Sequence, residues 1–226
     1  MNAIAGSNRT YQQCLRKEAA RYETIISLYG QLFGKCLPAD KQYWTMCSVH
    51  TNADGSFAQA SELGQLLSSG MLSANQFHGV DIVSDIIEKN KIAKPDANWI
   101  CNDFVHAMKR SAVSSGFNPA IINADFVCMN KKAARTVSDI LELVTYLDIK
   151  DVMVASNVMY NNPYANNSFD AIELDPDITL REYLKHNVFK LAWSKGGWNV
   201  HPECYYYGGT GENSKTLMAT TVFYRK

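Results

Sequence analysis

The sequence predicts an α/β fold: a three-layer sandwich with a mostly parallel seven-stranded sheet, helices on both faces and an antiparallel β-hairpin near its C-terminal end. Three observations carry this. From Tyr43 onward, short apolar runs alternate with helical segments five times, the pattern that builds a parallel sheet covered by its own crossover helices. Two β-rich runs, Trp198 to Tyr207 and Thr216 to Tyr224, flank the turn-rich segment Gly208 to Lys215, which is hairpin chemistry. The chain is 226 residues long and 46% apolar, with 12 Tyr, 9 Phe and 4 Trp, enough to bury one large core rather than two.

The first element precedes the sheet. Between Tyr11 and Phe33, Leu15, Ala19, Tyr22, Ile25, Ile26, Tyr29 and Phe33 recur at helical spacing with Arg16, Lys17, Glu18 and Arg21 between them, so an amphipathic helix is expected, ended by Gly34 and Pro38. This divides the chain into an N-terminal helical extension, 1–42, and a main domain, 43–226. The extension is expected to pack on the flank of the domain; the alternative is a helix that meets a protein partner.

The strands are placed at Tyr43 to Ser48, Phe77 to Ile82, Trp99 to Asn102, Ala120 to Val127 and Asp151 to Met159. The helices between them are Ala58 to Ser69, Ser84 to Lys91, Phe104 to Ser115 and Lys131 to Leu147. Gly70 and Gly116 stand where left-handed caps end helices, and Pro95 blocks continuation of the helix before it. Asn161 to Asp177 reads as a long polar loop. Thr179 and Glu182 then form a capping box for a helix to about Trp193.

Five βα units, one further helix and a terminal hairpin resemble the class I S-adenosylmethionine-dependent methyltransferase fold. Small methyltransferase-like proteins of bacteria and their phages look similar around Gln76 to Asp81 and Trp99 to Phe104. The resemblance covers about Tyr43 to Lys226 and implies a Rossmann-like domain that binds S-adenosylmethionine. It implies roles for Asp81, whose carboxylate would accept both ribose hydroxyls, and for Asn102 or Asp103, which would accept from the adenine amino group. Phe104 or Ile82 would sandwich the ring. The competing reading makes Asp81 and Asp103 caps of the helices that follow them.

Two departures from the family pattern fall where the chemistry would be done. The usual Gly-rich turn after the first strand is replaced by Cys47-Ser48-Val49-His50-Thr51-Asn52-Ala53-Asp54-Gly55-Ser56, with one glycine. Cys47, Ser48, His50, Thr51 and the Ser61-Glu62 pair are the candidate contacts to the amino-acid end of the cofactor, with Glu62 facing its ammonium group. The end of the fourth strand reads Ile122-Asn123-Ala124-Asp125-Phe126. It resembles the Asp/Asn-Pro-Pro-Tyr/Phe motif of amino-directed enzymes without either proline, so Asn123 and Asp125 are the candidate acceptor-side residues, with Asp125 a candidate base. Asn161-Asn162-Pro163-Tyr164 looks like the same motif but follows the fifth strand, where Asn and Pro usually mean turns.

Lys plus Arg and Asp plus Glu balance at 22 each. Nucleic acid therefore stays open as an acceptor without support from net charge, beside protein and small molecule; Lys185, Lys190, Lys195 and Lys215 could make a local patch. The six cysteines form no CxxC pair and read as reduced and mostly buried; no metal motif occurs. Met1 to Thr10 has no leader pattern, and no window approaches the roughly 18 apolar residues of a membrane span, so the cytoplasm is the expected compartment. The aromatic C-terminal segment, with Tyr205, Tyr206, Tyr207, Trp198 and Phe223, is expected to pack in the sheet rather than stack on bases. Two functions remain: a methyltransferase with an unidentified acceptor, or a methyltransferase-like scaffold that has lost activity and serves as a binding or structural subunit.

Overall fold

A computed structural model describes residues 10–12, 15–114, 116–126, 131–159, 197–201, 205–208 and 217–226. The predicted loop from Asn161, the helix from Thr179 and the Asn161 to Tyr164 motif lie outside these residues. The chain forms two compact units, Met1–Ala120 and Ile121–Lys226. No helix among the described residues is long and apolar enough to cross a membrane.

The first unit opens with the extension, which is helical as α1 (Leu15–Arg21) and α2 (Leu28–Leu32). Between them Tyr22–Ser27 is a π-helix, a departure from the uninterrupted α-helix expected. The Thr24 hydroxyl donates to the Ala20 carbonyl at 2.8 Å, a back-bond that competes with the regular helical ladder. Gly34 ends the element at φ 130°. Arg21 donates to Gln65 at 2.5 Å, and Gln65 donates in turn to the Glu18 carbonyl at 3.3 Å. The extension is thereby fixed to helix α3 (Glu62–Ser68).

Strands β1 (Gln42–Met46), β2 (Phe77–Asp81) and β3 (Asn98–Cys101) are parallel in the order β3-β2-β1. Alternation along β1 sends Tyr43 and Thr45 to one face, where they meet Glu62 of α3. Trp44 goes to the other, where it packs edge-on to Phe117 and stacks on His78 at 4.6 Å. Tyr43, Trp44, Phe77, Leu63, Leu66, Met71 and Met108 are fully buried, each contributing about 1.5–3 kcal/mol of apolar burial. Gly79 has to be glycine, because a Cβ there would stand 2.7 Å from the Trp99 ring.

Helices α4 (Ser84–Ala93) and α5 (Phe104–Val113) follow β2 and β3. Gly70 takes the left-handed conformation expected, at φ 70°. Gly116 does not; its N–H instead closes back on the Ser111 carbonyl at 3.0 Å.

The second unit takes up β4 (Pro119–Asp125) at Ile121 and continues through α6 (Lys131–Tyr146) and β5 (Val152–Met159), with β4 and β5 parallel. Val137, Ile140, Leu141 and Val144 form the buried stripe of α6. The α6–β5 connection places Asp148 and Asp151 at positive φ, and Asp148 pairs with the buried Arg225 at 2.8 Å.

Strand β8 (Leu217–Arg225) is antiparallel to β5 on one side and to β6 (Asn199–Val200) and β7 (Tyr205–Gly208) on the other. The α/β organisation and the antiparallel C-terminal pairing are those the sequence predicts. Within the run from Trp198 to Tyr207, Val200 faces Phe223 and Tyr205 faces Thr220. Trp198 and Phe223 are buried, in line with packing rather than base stacking.

Candidate functional site

The candidate cofactor residues all lie in the first unit, at the carboxy-terminal ends of β1, β2 and β3 or at the start of the following helices. The loop after β1 begins at Cys47, whose N–H donates to the Val80 carbonyl at 3.0 Å and extends the pairing with β2 by one residue. Ser48 is exposed, Val49 and Thr51 are buried, and His50 is completely buried with its Nδ1 3.0 Å from the Ser61 hydroxyl. Ser61 is the N-cap of α3, so the loop and the helix start share a partner.

One residue outside the predicted set organises this loop. Asn90, fully buried on α4, donates from Nδ2 to the Ser48 carbonyl at 2.9 Å. Its Oδ1 accepts from the His50 N–H at 2.8 Å and from the Thr51 hydroxyl at 3.5 Å. Asn90 stands in the sequence with Ile86 and Ile87 on the helix after Asp81, and a polar residue on that apolar side is the signal that points to its role. On another side of the loop, Tyr11 donates its N–H to the Thr51 carbonyl at 2.7 Å and its hydroxyl to the Ala60 carbonyl at 2.5 Å.

Glu62 is buried, and its carboxylate accepts from the Tyr43 hydroxyl at 2.5 Å and the Thr45 hydroxyl at 3.2 Å. Two hydroxyls from one face of β1 thus compensate a buried acid. Burial pushes the Cys47 thiol well above its ordinary range, and the negative charges of Asp81 and Glu62 push it further. Cys47, Asp81 and Glu62 therefore share one electrostatic neighbourhood. In it the thiol stays protonated and is no nucleophile.

Asp81 ends β2, half-buried, and its Oδ1 accepts from the Val83 N–H at 2.9 Å. The N-cap of α4 is Val83, so Asp81 shapes the turn ahead of the helix and is not itself the cap. Asp103 is the N-cap of α5, accepting from the His106 N–H at 3.2 Å; the capping reading holds for this residue. Asn102 accepts from the Asp103 N–H at 2.8 Å, and its own N–H donates to the Asp81 carbonyl at 3.0 Å. This ties the ends of β2 and β3 together. Of the two residues expected to sandwich an adenine ring, Ile82 is 70% exposed and Phe104 only 5%. Exposure of an aliphatic side chain beside a strand-end carboxylate suits a flat apolar ligand; Phe104 is part of the core.

Cys101, opposite Asp81 in register, is exposed, as is Cys36, whereas Cys47 is buried. Cys14, Cys128 and Cys204 lie outside the described residues. The expectation of mostly buried thiols is not met by these three, because strand ends and loops rather than strand centres carry them.

In the second unit, Asn123 and Asp125 are on β4. Asn123 is buried two residues inside the strand, and its Oδ1 accepts from Asn157 Nδ2 at 2.9 Å. Asn157 Oδ1 in turn accepts from the Thr220 hydroxyl at 2.5 Å. A hydrogen-bonded chain thus runs through the interior across β8, β5 and β4. Asp125 is the last residue of β4 and half-buried. The next residue, Phe126, donates its N–H to the Asn157 carbonyl at 2.9 Å.

No family model matches the sequence, and no curated protein does. Among solved structures, the chain is similar to a TehB-like S-adenosylmethionine-dependent methyltransferase from Corynebacterium glutamicum. The identity is 13%, 94% of each chain is covered and the TM-score is 0.46. It is also similar to the CurJ carbon methyltransferase at 16% identity, over 83% of this chain and 49% of that one, with a TM-score of 0.42.

Proposed function

We propose that the chain binds S-adenosylmethionine at the carboxy-terminal ends of β1, β2 and β3 and transfers its methyl group to an acceptor. The observation that carries this reading is Asp81. It is a half-buried carboxylate at the end of the central strand of three, accepting from the Val83 N–H and flanked by the exposed Ile82. Ligands of open α/β sheets bind outside the carboxyl ends of the strands, and a carboxylate there suits a ribose diol.

The reaction under this reading is a direct displacement. A nucleophilic atom of the acceptor bonds to the methyl carbon as the sulfur–methyl bond breaks, and the electron pair of that bond stays on sulfur to give S-adenosylhomocysteine. The acceptor's proton passes to a base or to water. Asp125 is the base we propose, since it alone of the acceptor-side pair ends its strand; the Asn123 side-chain oxygen is engaged by Asn157. The protein's contribution is alignment of the nucleophile with the methyl group.

A second reading, a scaffold that does not transfer methyl groups, is favoured by one observation: the polar atoms of Glu62 and Asn123 already hold internal partners. Under it the extension, with Leu15 and Tyr22 exposed at 72% and 56%, is the surface offered to a protein partner. Calorimetric titration with S-adenosylmethionine and S-adenosylhomocysteine separates the two. Saturable binding lost in Asp81→Ala supports the enzyme; no heat at millimolar ligand supports the scaffold.

A further inference from the structure

We propose that Asn90 is a positioning residue for the ligand-binding loop, doing from a neighbouring helix what glycines after the first strand would otherwise do through backbone freedom. This rests on the cofactor reading above. The loop 47–51 contains no glycine, so its path cannot rely on conformations that only glycine adopts readily. The path is imposed from α4 instead. The amide of Asn90 spans the loop, donating to the Ser48 carbonyl and accepting from the His50 N–H and the Thr51 hydroxyl.

Because Asn90 is fully buried, it does not touch a ligand; it acts through the loop. With the Ser48 carbonyl and the His50 N–H drawn toward α4, these two groups are occupied, and the two peptide planes on either side of Val49 are each held. A buried amide with both ends satisfied by one loop is a rigidifying contact, and a loop held before the ligand arrives has less ordering cost to meet on binding. The loop lies beside β1 and α3, while Asp81 and Asn102 sit at the ends of β2 and β3. Asn90 therefore serves the amino-acid end of the cofactor and not its nucleoside.

The test compares two ligands that differ at that end, S-adenosylhomocysteine and 5′-methylthioadenosine, on wild type, Asn90→Ala and the milder Asn90→Ser, with the melting temperature of each. The expected result is a loss of about ten-fold in affinity for S-adenosylhomocysteine, the equivalent of one buried hydrogen bond, with affinity for methylthioadenosine held within about two-fold. A generally loosened fold would lower both affinities alike. Equal loss for both ligands, or loss for neither, overturns the proposal while leaving the cofactor reading in place. Wild type that binds neither ligand overturns the cofactor reading and the proposal with it. If neither variant folds, hydrogen exchange on wild type decides: amides 48–51 protected as well as those of β1 support a preformed loop, and rapid exchange there overturns it.

Discussion

The polar residues of the two units do different work, although both sets are carried by β-strands or the residues that directly follow them. In the first unit Asp81, Asn102 and Asp103 lie at strand ends, part-exposed, each tied to a backbone N–H one to three residues away. In the second, Asn123, Asn157 and Thr220 lie inside, linked side chain to side chain across three strands. Local ties to backbone cost little to break, because the groups involved stay within reach of water. A buried chain has its capacity taken up by the fold. The candidate binding residues are thus the ones the fold needs least, and Asn123 belongs with the fold.

The largest effect that would sharpen this comparison is at Asn157. Replacing it by alanine removes the donor to Asn123 and the acceptor of Thr220, and destabilisation of about 3 kcal/mol is expected in urea unfolding. A loss below about 1 kcal/mol would break the contrast between the units.

Acid should act next. Burial lowers the His78 imidazole to about 4 from its ordinary 6.5, so the folded state keeps it neutral where the unfolded chain takes up a proton. The sign follows: His78 contributes no penalty at pH 7, and stability falls as pH drops from about 6.5 to about 4, by on the order of 2–3 kcal/mol. In the second unit, Lys150 and then Arg225 hold the Asp148 carboxyl below its ordinary 3.8. Its contribution is present above that value and lost below it. Urea midpoints measured from pH 7 to 4 on wild type and His78→Phe should show the slope only in wild type.

Smaller again is Asp103→Ala, expected to cost about 1 kcal/mol as the loss of an N-cap, read as a shift in melting temperature. Smallest in stability is Asp81→Ala, about 0.5 kcal/mol by the same measurement, since the turn it shapes is part-exposed; its effect on ligand affinity should be the largest of the four.

The fold was legible because its signals are redundant: alternating apolar runs, helical periodicity and Gly70 and Asp103 at helix ends all point one way; the start of α3 was not, since the helix expected from Ala58 begins at Glu62 with Ser61 as its N-cap. The π-helix was not, since a Thr24 back-bond cannot be told from an ordinary helical threonine by spacing. Of the site, Asp81 and Ile82 stand in the sequence as an exposed acid and aliphatic at a strand end. Burial reverses what residue type suggests for Phe104 and Asn123, and Asn90 acts across 39 or more residues of chain from the loop it holds, beyond any local pattern.

Hydrogen exchange of the whole chain with and without saturating S-adenosylhomocysteine tests the central claim most directly. The account predicts slowed exchange at 47–51, 81–84 and 101–104, with the amides around Asn157 unchanged. Protection confined to other segments, or none, would contradict a cofactor site at the strand ends of the first unit.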